Sequence, residues 1–145
     1  MIGVKEVDEI LGTHLITPVS RSIPLVDAHG HVLNEDLVAD RDFPPFDRIM
    51  MDGIAINHAR FAEGQRRFVV ESTVAAGDPH YRLKQGDHCL EVMTGAILPT
   101  GTDTVIRYED ITLRDGHATI ALPALDKRRH VHPQGSDRVE GATIV

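Results

Sequence analysis

Two runs of residues are the best equipped for chemistry. The first is Asp42-Phe43-Pro44-Pro45-Phe46-Asp47, continuing through Arg48-Ile49-Met50 into Met51-Asp52-Gly53-Ile54-Ala55. The two prolines favour an extended approach and Gly53 leaves room beside Asp52, so a carboxylate would stand at a rigid corner open to a metal ion or a phosphate. The same residues suit a plain turn with a solvated or capping aspartate, and composition does not choose between the two. In the second run, Met93-Thr94-Gly95-Ala96-Ile97-Leu98-Pro99-Thr100-Gly101, a hydroxyl followed by glycine ends a strand and opens a loop. A hydroxyl beside exposed backbone N–H groups can hold an oxyanion, and a structural Thr-Gly turn uses the same residues.

Other chemistry-bearing residues carry less. Nine histidines include the alternating pairs His29-Gly30-His31 and His130-Val131-His132, and alternate strand residues share a face. Ligand spacing alone is weak support for a metal, nothing in the sequence unites the pairs, and no tightly bound metal is expected on this chain. Cys89 beside His88 has the look of a nucleophile and base, yet strand neighbours face opposite ways, so Cys89 reads as a small buried side chain. It is the only cysteine, which excludes an internal disulfide and a four-cysteine zinc site.

These groups must be positioned by a chain of 145 residues, long enough for a real core. With 41% hydrophobic residues, four Phe, two Tyr and no Trp, that core is built from Val, Ile, Leu and Ala. Fifteen basic against twenty-two acidic residues give a net charge of −7, which argues against nucleic acid as a partner. The longest basic cluster, Lys127-Arg128-Arg129, reads as a solvated loop. No secretory signal opens the chain and no apolar run approaches the roughly 18 residues of a membrane span. The expected setting is cytoplasmic.

Val4, Val7, Ile10 and Leu11 fall at helical spacing, predicting a short amphipathic helix over 4–11 that Gly12 would stop. Pro24 can open a second short helix through Ala28, with Gly30 as its left-handed exit. From Phe68 to Val74 the period changes to two, a strand signal. Leu90–Met93 and Thr104–Tyr108 predict further strands. Ile111-Thr112-Leu113 and Ala118-Thr119-Ile120-Ala121-Leu122 flank Arg114-Asp115-Gly116-His117, and Asp-Gly suits the type I′ turn of a hairpin. The middle of the chain is thus a compact β module.

The series Val32-Leu33-Asn34-Glu35-Asp36, Pro44-Pro45-Phe46-Asp47, Met51-Asp52-Gly53, Ala76-Gly77, Met93-Thr94-Gly95-Ala96, Leu98-Pro99-Thr100-Gly101-Thr102-Asp103 and Gly135-Ser136-Asp137 resembles the amino-terminal region of the MoeA/gephyrin family over most of the chain. The resemblance implies a mainly β fold of coiled and bifurcated β-sheets, with a compact β module and one or two short N-terminal helices. It implies an elongated domain in two parts, residues 1–50 and 126–145, with the β module inserted at 51–125, and a catalytic α/β domain absent from this chain. It further implies one wall of a site that inserts molybdenum from molybdate into adenylylated molybdopterin, releasing AMP with the help of Mg2+, in a homodimer. Asp52 and Thr94 match the family's catalytic positions, with Asp52 as the Mg2+ ligand; Gly53, Gly95 and Asp137 match substrate-binding ones. The chain departs from the pattern at Arg48-Ile49-Met50, where a serine is usual, at Ile54, where a tyrosine is usual, and at His130-Val131-His132, where Asn-Val-Arg is usual. The alternative reading is a non-catalytic, diverged binding or dimerisation module on the same scaffold.

Overall fold

The computed structural model describes residues 3–15 and 18–145. They divide into two compact units, residues 1–36 and 37–145. In the first unit, helix α1 spans Val4–Thr13. It runs one residue past Gly12 because its last carbonyls find partners: the Thr13 hydroxyl donates to Ile10 O at 2.8 Å, and His14 N–H donates to Leu11 O. The second predicted helix is a single 3₁₀ turn, Leu25–Asp27, and Gly30 has the positive φ, 83°, that its exit requires.

The second unit contains strands β1 (Arg48–Ile49) and β2 (Gly53–Ile56), helix α2 (His58–Ala62), then β3 (Arg67–Val74), β4 (Cys89–Val92), β5 (Thr104–Arg107), β6 (Ile111–Arg114), β7 (His117–Ile120) and β8 (Val131–His132). The order in the main sheet is β5-β2-β4-β3-β7-β6, with β3 and β4 parallel and the other pairs antiparallel. The mainly β expectation holds. The sheet branches at β3: Arg67–Val69 pair with β7, whereas Val70, Thr73 and Val74 pair with β4 across a register shift. An irregularity of this kind bends a strand and lets it serve two partners.

The hairpin has the expected register, Ile111 opposite Ile120 and Leu113 opposite Ala118, closed by Asp115 and Gly116 at φ 51° and 70°. Both positive values are what a type I′ turn demands. Strand β2 and helix α2 carry no clear signal in the sequence. Gly53-Ile54-Ala55-Ile56 is buried on both faces, so it lacks the alternation that marks a half-exposed strand. Helix α2 is only five residues long, started by the Asn57 side chain accepting from Ala59 N–H at 3.0 Å and by Asp103 accepting from His58 N–H at 2.8 Å.

Because β2 is an interior strand between β5 and β4, its two faces found two cores. Ile54 and Ile56 pack with Cys89, Ile106, Phe61, Phe68, Ala118 and Ile120 on one side. Ala55 packs with Leu90, Val92, Val105, Ile49, Ala96, Leu98 and Val131 on the other. Outside the six-stranded sheet, residues 37–49 and 131–145 run antiparallel as a ribbon. Val38 bridges Thr143, Phe43 bridges Arg138, and β1 pairs with β8. The Pro44-Pro45 stretch does not run extended as expected; residues 44–46 bend and the Phe43–Pro44 peptide is cis.

Gly53 is the tightest point of the sheet. A Cβ there would lie 1.9 Å from the carbonyl oxygen of Ile106. Gly116, also at positive φ, has nothing within 4 Å of such a Cβ. Gly53→Ala is therefore expected to cost more than about 3 kcal/mol, above the usual range for overpacking, because the obstacle is backbone. Gly116→Ala should cost only about 1–2 kcal/mol of left-handed strain. Chemical denaturation of both variants tests the ranking, and equal losses would show that the sheet yields at Gly53.

Candidate functional site

Asp52 immediately precedes β2 and Thr94 follows β4 by two residues. Since Gly53 pairs with Val92, antiparallel register delivers both to one end of the sheet. Met93-Thr94-Gly95-Ala96 forms a tight turn closed by Ala96 N–H donating to Met93 O at 3.1 Å, with Gly95 at φ 89° in the third position that a type II turn reserves for glycine. The turn aims two donors at one acceptor: Thr94 N–H lies 2.6 Å and Thr94 Oγ1 2.7 Å from Asp52 Oδ1. The backbone N–H, then the hydroxyl, hold the Asp52 carboxyl below the usual carboxylate range. Its contribution to stability is thus present above the ordinary carboxylate pKa and is lost as pH falls through the depressed folded value. Both residues are exposed, and Oδ2 of Asp52 accepts from none of the described residues, leaving a charged oxygen for a ligand.

Three further residues at this end were not singled out by sequence reasoning. Tyr108 N–H donates to Asp52 O at 3.1 Å, fixing the corner from β5. The Tyr108 hydroxyl donates to Glu91 Oε1 at 2.7 Å, and Thr73 Oγ1 donates to Glu91 Oε2 at 2.7 Å. The available signal was Glu91 itself, a carboxylate set between Leu90 and Val92 in an otherwise apolar strand. Burial first, then the hydrogen bond to Glu91 and the charges of Glu91 and Asp52, push the Tyr108 phenol up to about 12.

Asp137 is not joined to the Asp52–Thr94 pair by any hydrogen bond or ion pair among the described residues. It lies in the loop after β8, its Oδ1 2.8 Å from His132 Nε2, while its N–H donates to Phe43 O at 2.9 Å. Gly53 and Gly95 flank the pair as backbone devices. Lys127-Arg128-Arg129 lies in a solvent-facing turn, as expected, and its cations are also paired. Lys127 pairs with Asp103 at 3.3 Å, Arg128 with Asp47 at 2.9 Å and Arg129 with Asp110 at 3.7 Å. Each cation ties the loop to a different segment, which charge pattern alone cannot reveal.

His130 has φ 55° and lies outside β8, so His130 and His132 do not form an alternating strand pair. Among the described residues no three His, Cys, Asp or Glu side chains are grouped to hold a metal ion, and no helix is long and apolar enough to cross a membrane. Cys89 is fully buried in the Ile54–Phe68 core, and burial first, then Glu71 and Glu91, push its thiol up to about 12. A protonated, enclosed thiol is inert.

The phenol of Tyr108 supplies a direct check on this end of the sheet. A raised folded pKa means stability is intact below the unfolded value of about 10 and is lost as pH rises through about 12. Ultraviolet titration of phenolate should show one of the two tyrosines ionising late. Tyr108→Phe should remove that late step, and its persistence would place the shift on Tyr81 instead.

Comparison with known proteins places this geometry in a lineage. A family model described as MoeA N-terminal region (domain I and II) matches residues 2–145. The molybdopterin molybdenumtransferase of Synechocystis sp. is 40% identical over 146 residues, covering 100% of this chain and 37% of that protein. The one from Staphylococcus aureus (strain MRSA252) is 32% identical, covering 99% of this chain and 35% of the relative. The crystal structure of a molybdopterin biosynthesis MoeA protein from Pyrococcus horikoshii matches with a TM-score of 0.77 at 28% identity, over 99% of this chain and 38% of that one. The chain therefore spans little more than a third of the length of these relatives. It belongs to the MoeA N-terminal region (domain I and II) family.

Proposed function

We propose that this region supplies one wall of the site in which adenylylated molybdopterin receives molybdenum from molybdate with release of AMP. The observation that carries the reading is the convergence of the Thr94 amide and hydroxyl on a single oxygen of Asp52, which leaves the other oxygen charged and exposed. The likeness to molybdopterin molybdenumtransferases supplies the substrate class. Residues 1–50 and 126–145 would form one elongated domain around the inserted module 51–125, and a homodimer in the cytoplasm completes the site from a partner's α/β domain.

Mg2+ fits this donor set in one mode only. No all-protein cage exists among the described residues, but Mg2+ is commonly bound by one or two carboxylates together with substrate phosphates. Asp52 would be the residue that holds it, and the ion when bound supplies charge neutralisation at the phosphate. Thr94 orients Asp52 and keeps it ionised. Gly95 keeps the turn open beside them, a Cβ at that position falling 3.4 Å from Ala76 Cβ. Asp137 belongs to the substrate-binding surface, whereas Gly53, buried between β4 and β5, serves the site by fixing the Asp52 corner.

The alternative of a non-catalytic module draws its support from the departures around Asp52. Two of those, Ile49 and Ile54, are 1% and 0% exposed and pack in the cores. They take nothing from the exposed surface that carries Asp52 and Thr94.

The test uses a full-length protein, comprising this chain and the segment that completes its relatives. Asp52→Asn keeps an acceptor for Thr94 N–H but loses the charge; Thr94→Ala loses one exposed hydroxyl. Both should melt close to the parent, since exposed substitutions usually stay within about 0.5 kcal/mol. Single-turnover transfer should fall about 10²–10³-fold where a preorganised polar contact to developing charge is lost. Early unfolding of both variants would make the pair a structural turn, and parental transfer rates in both would remove it from the chemistry. Residues 1–145 alone are expected to show no transfer.

A further inference from the structure

Arg48 on β1 stands directly opposite His132 on β8. Directly opposed residues of an antiparallel pair share a face, with Cβ atoms about 4.5–5.5 Å apart. On that face His132 is already held: Nε2 lies 2.8 Å from Asp137 Oδ1 and 3.2 Å from Ser136 Oγ. Arg48 is exposed and takes part in no ion pair or side-chain hydrogen bond among the described residues.

Asp47 and Asp42, the acids that precede Arg48 in the same segment, are already engaged. Asp47 Oδ1 accepts from Gln134 N–H at 2.9 Å and pairs with Arg128 at 2.9 Å. Asp42 accepts from Gln134 Nε2 at 2.8 Å and Glu140 N–H at 2.9 Å. A guanidinium without an ion-pair partner, an imidazole held by the Asp137 carboxylate and a hydroxyl therefore share one surface of a chain whose net charge is −7.

Strand β1 is also joined to the turn that holds Asp52. On its other edge β1 meets the Thr94 turn, Gly95 N–H donating to Ile49 O at 2.9 Å and Ile49 N–H to Ala96 O at 3.0 Å. The Cα atoms of Arg48 and Asp52, four positions apart, can be no more than about 14 Å from each other.

We propose that Arg48, with His132 and Ser136 beside it, binds a tetrahedral oxyanion of the substrate, either the phosphoryl group of a nucleotide or a free tetraoxoanion. The planar fork of a guanidinium suits such a group, donating two parallel hydrogen bonds. This assignment rests on the molybdotransferase reading and adds a binding residue to it.

Binding of AMP and of molybdate, measured separately by calorimetry on the full-length protein, tests the proposal. Arg48→Gln should weaken at least one of the two anions tenfold or more with an unchanged melting temperature. Arg48→Lys should recover part of the loss, and Arg82→Gln, at an exposed arginine elsewhere, should bind as the parent does. Weakening for AMP alone identifies the phosphoryl group, for molybdate alone the tetraoxoanion, and for both a shared seat; each supports the proposal. Parental affinity of Arg48→Gln for both anions overturns it, as does an equal loss in Arg82→Gln or no measurable binding by the parent. Should Arg48→Gln fail to fold, His132→Gln and Ser136→Ala replace it, each expected to weaken the same anion several-fold, and parental binding by both overturns the proposal. Impaired transfer in Asp52→Asn with parental anion binding in Arg48→Gln removes this seat alone. Parental transfer in Asp52→Asn with weakened binding in Arg48→Gln removes the Asp52 assignment and leaves the seat.

Discussion

Gly53 has no Cβ, and the carbonyl oxygen of Ile106 occupies the space where one would be, 1.9 Å from its ideal position. That close approach lets β5 lie against β2 up to the corner, so that Gly53 pairs with Arg107 on one side and Val92 on the other. Asp52 stands one residue before this point, where Tyr108 N–H takes its carbonyl. A bulkier residue at 53 would push β5 away, open one face of both cores and release the Asp52 corner together. Packing and site geometry depend on the same missing atom.

The second dependence is electrostatic. The loop carrying Lys127, Arg128 and Arg129 is bound to Asp103, Asp47 and Asp110. Exposed ion pairs individually contribute little, typically 0–1 kcal/mol, so these contacts act chiefly as position markers. They work alongside backbone bonds: Val105 N–H donates to Arg129 O, Met50 N–H to His130 O, and Arg128 N–H to the fully buried Thr104 hydroxyl. The buried hydroxyl is satisfied on both sides, since Thr104 Oγ1 also donates to Asp103 Oδ1 at 3.1 Å. Through this loop β8 is delivered to β1, which sets Arg48 against His132.

The two faces of β2 divide labour in the sheet. One face is closed by Phe61, Phe68, Ile106 and Ile120 and contains Cys89, whose thiol is kept protonated by burial. At the end of that face Glu91 receives hydroxyls from Tyr108 and Thr73, so a carboxylate set among apolar neighbours has its lone pairs occupied. A partly buried carboxylate held at both oxygens is fixed in orientation. Asp52 differs: its carboxylate is exposed, held at one oxygen only, and open at the other.

What the sequence determined by itself is local. Asp115-Gly116 set the hairpin because both residues must adopt positive φ, a constraint met by two adjacent residue types and needing no distant partner. The helical spacing of Val4, Val7, Ile10 and Leu11 likewise announces α1. Asp52, Thr94 and their glycines were legible as turn chemistry, and their family pattern named them as site residues. Their meeting was not legible from spacing, because Asp52 and Thr94 are 42 residues apart and join only when β2 selects β4 as its neighbour. The same holds for Arg48 opposite His132, for Tyr108 on Glu91, and for the three ion pairs of residues 127–129. In each case the tertiary structure decided, since strand register is fixed by which apolar faces are buried together, and that is a property of the whole sheet.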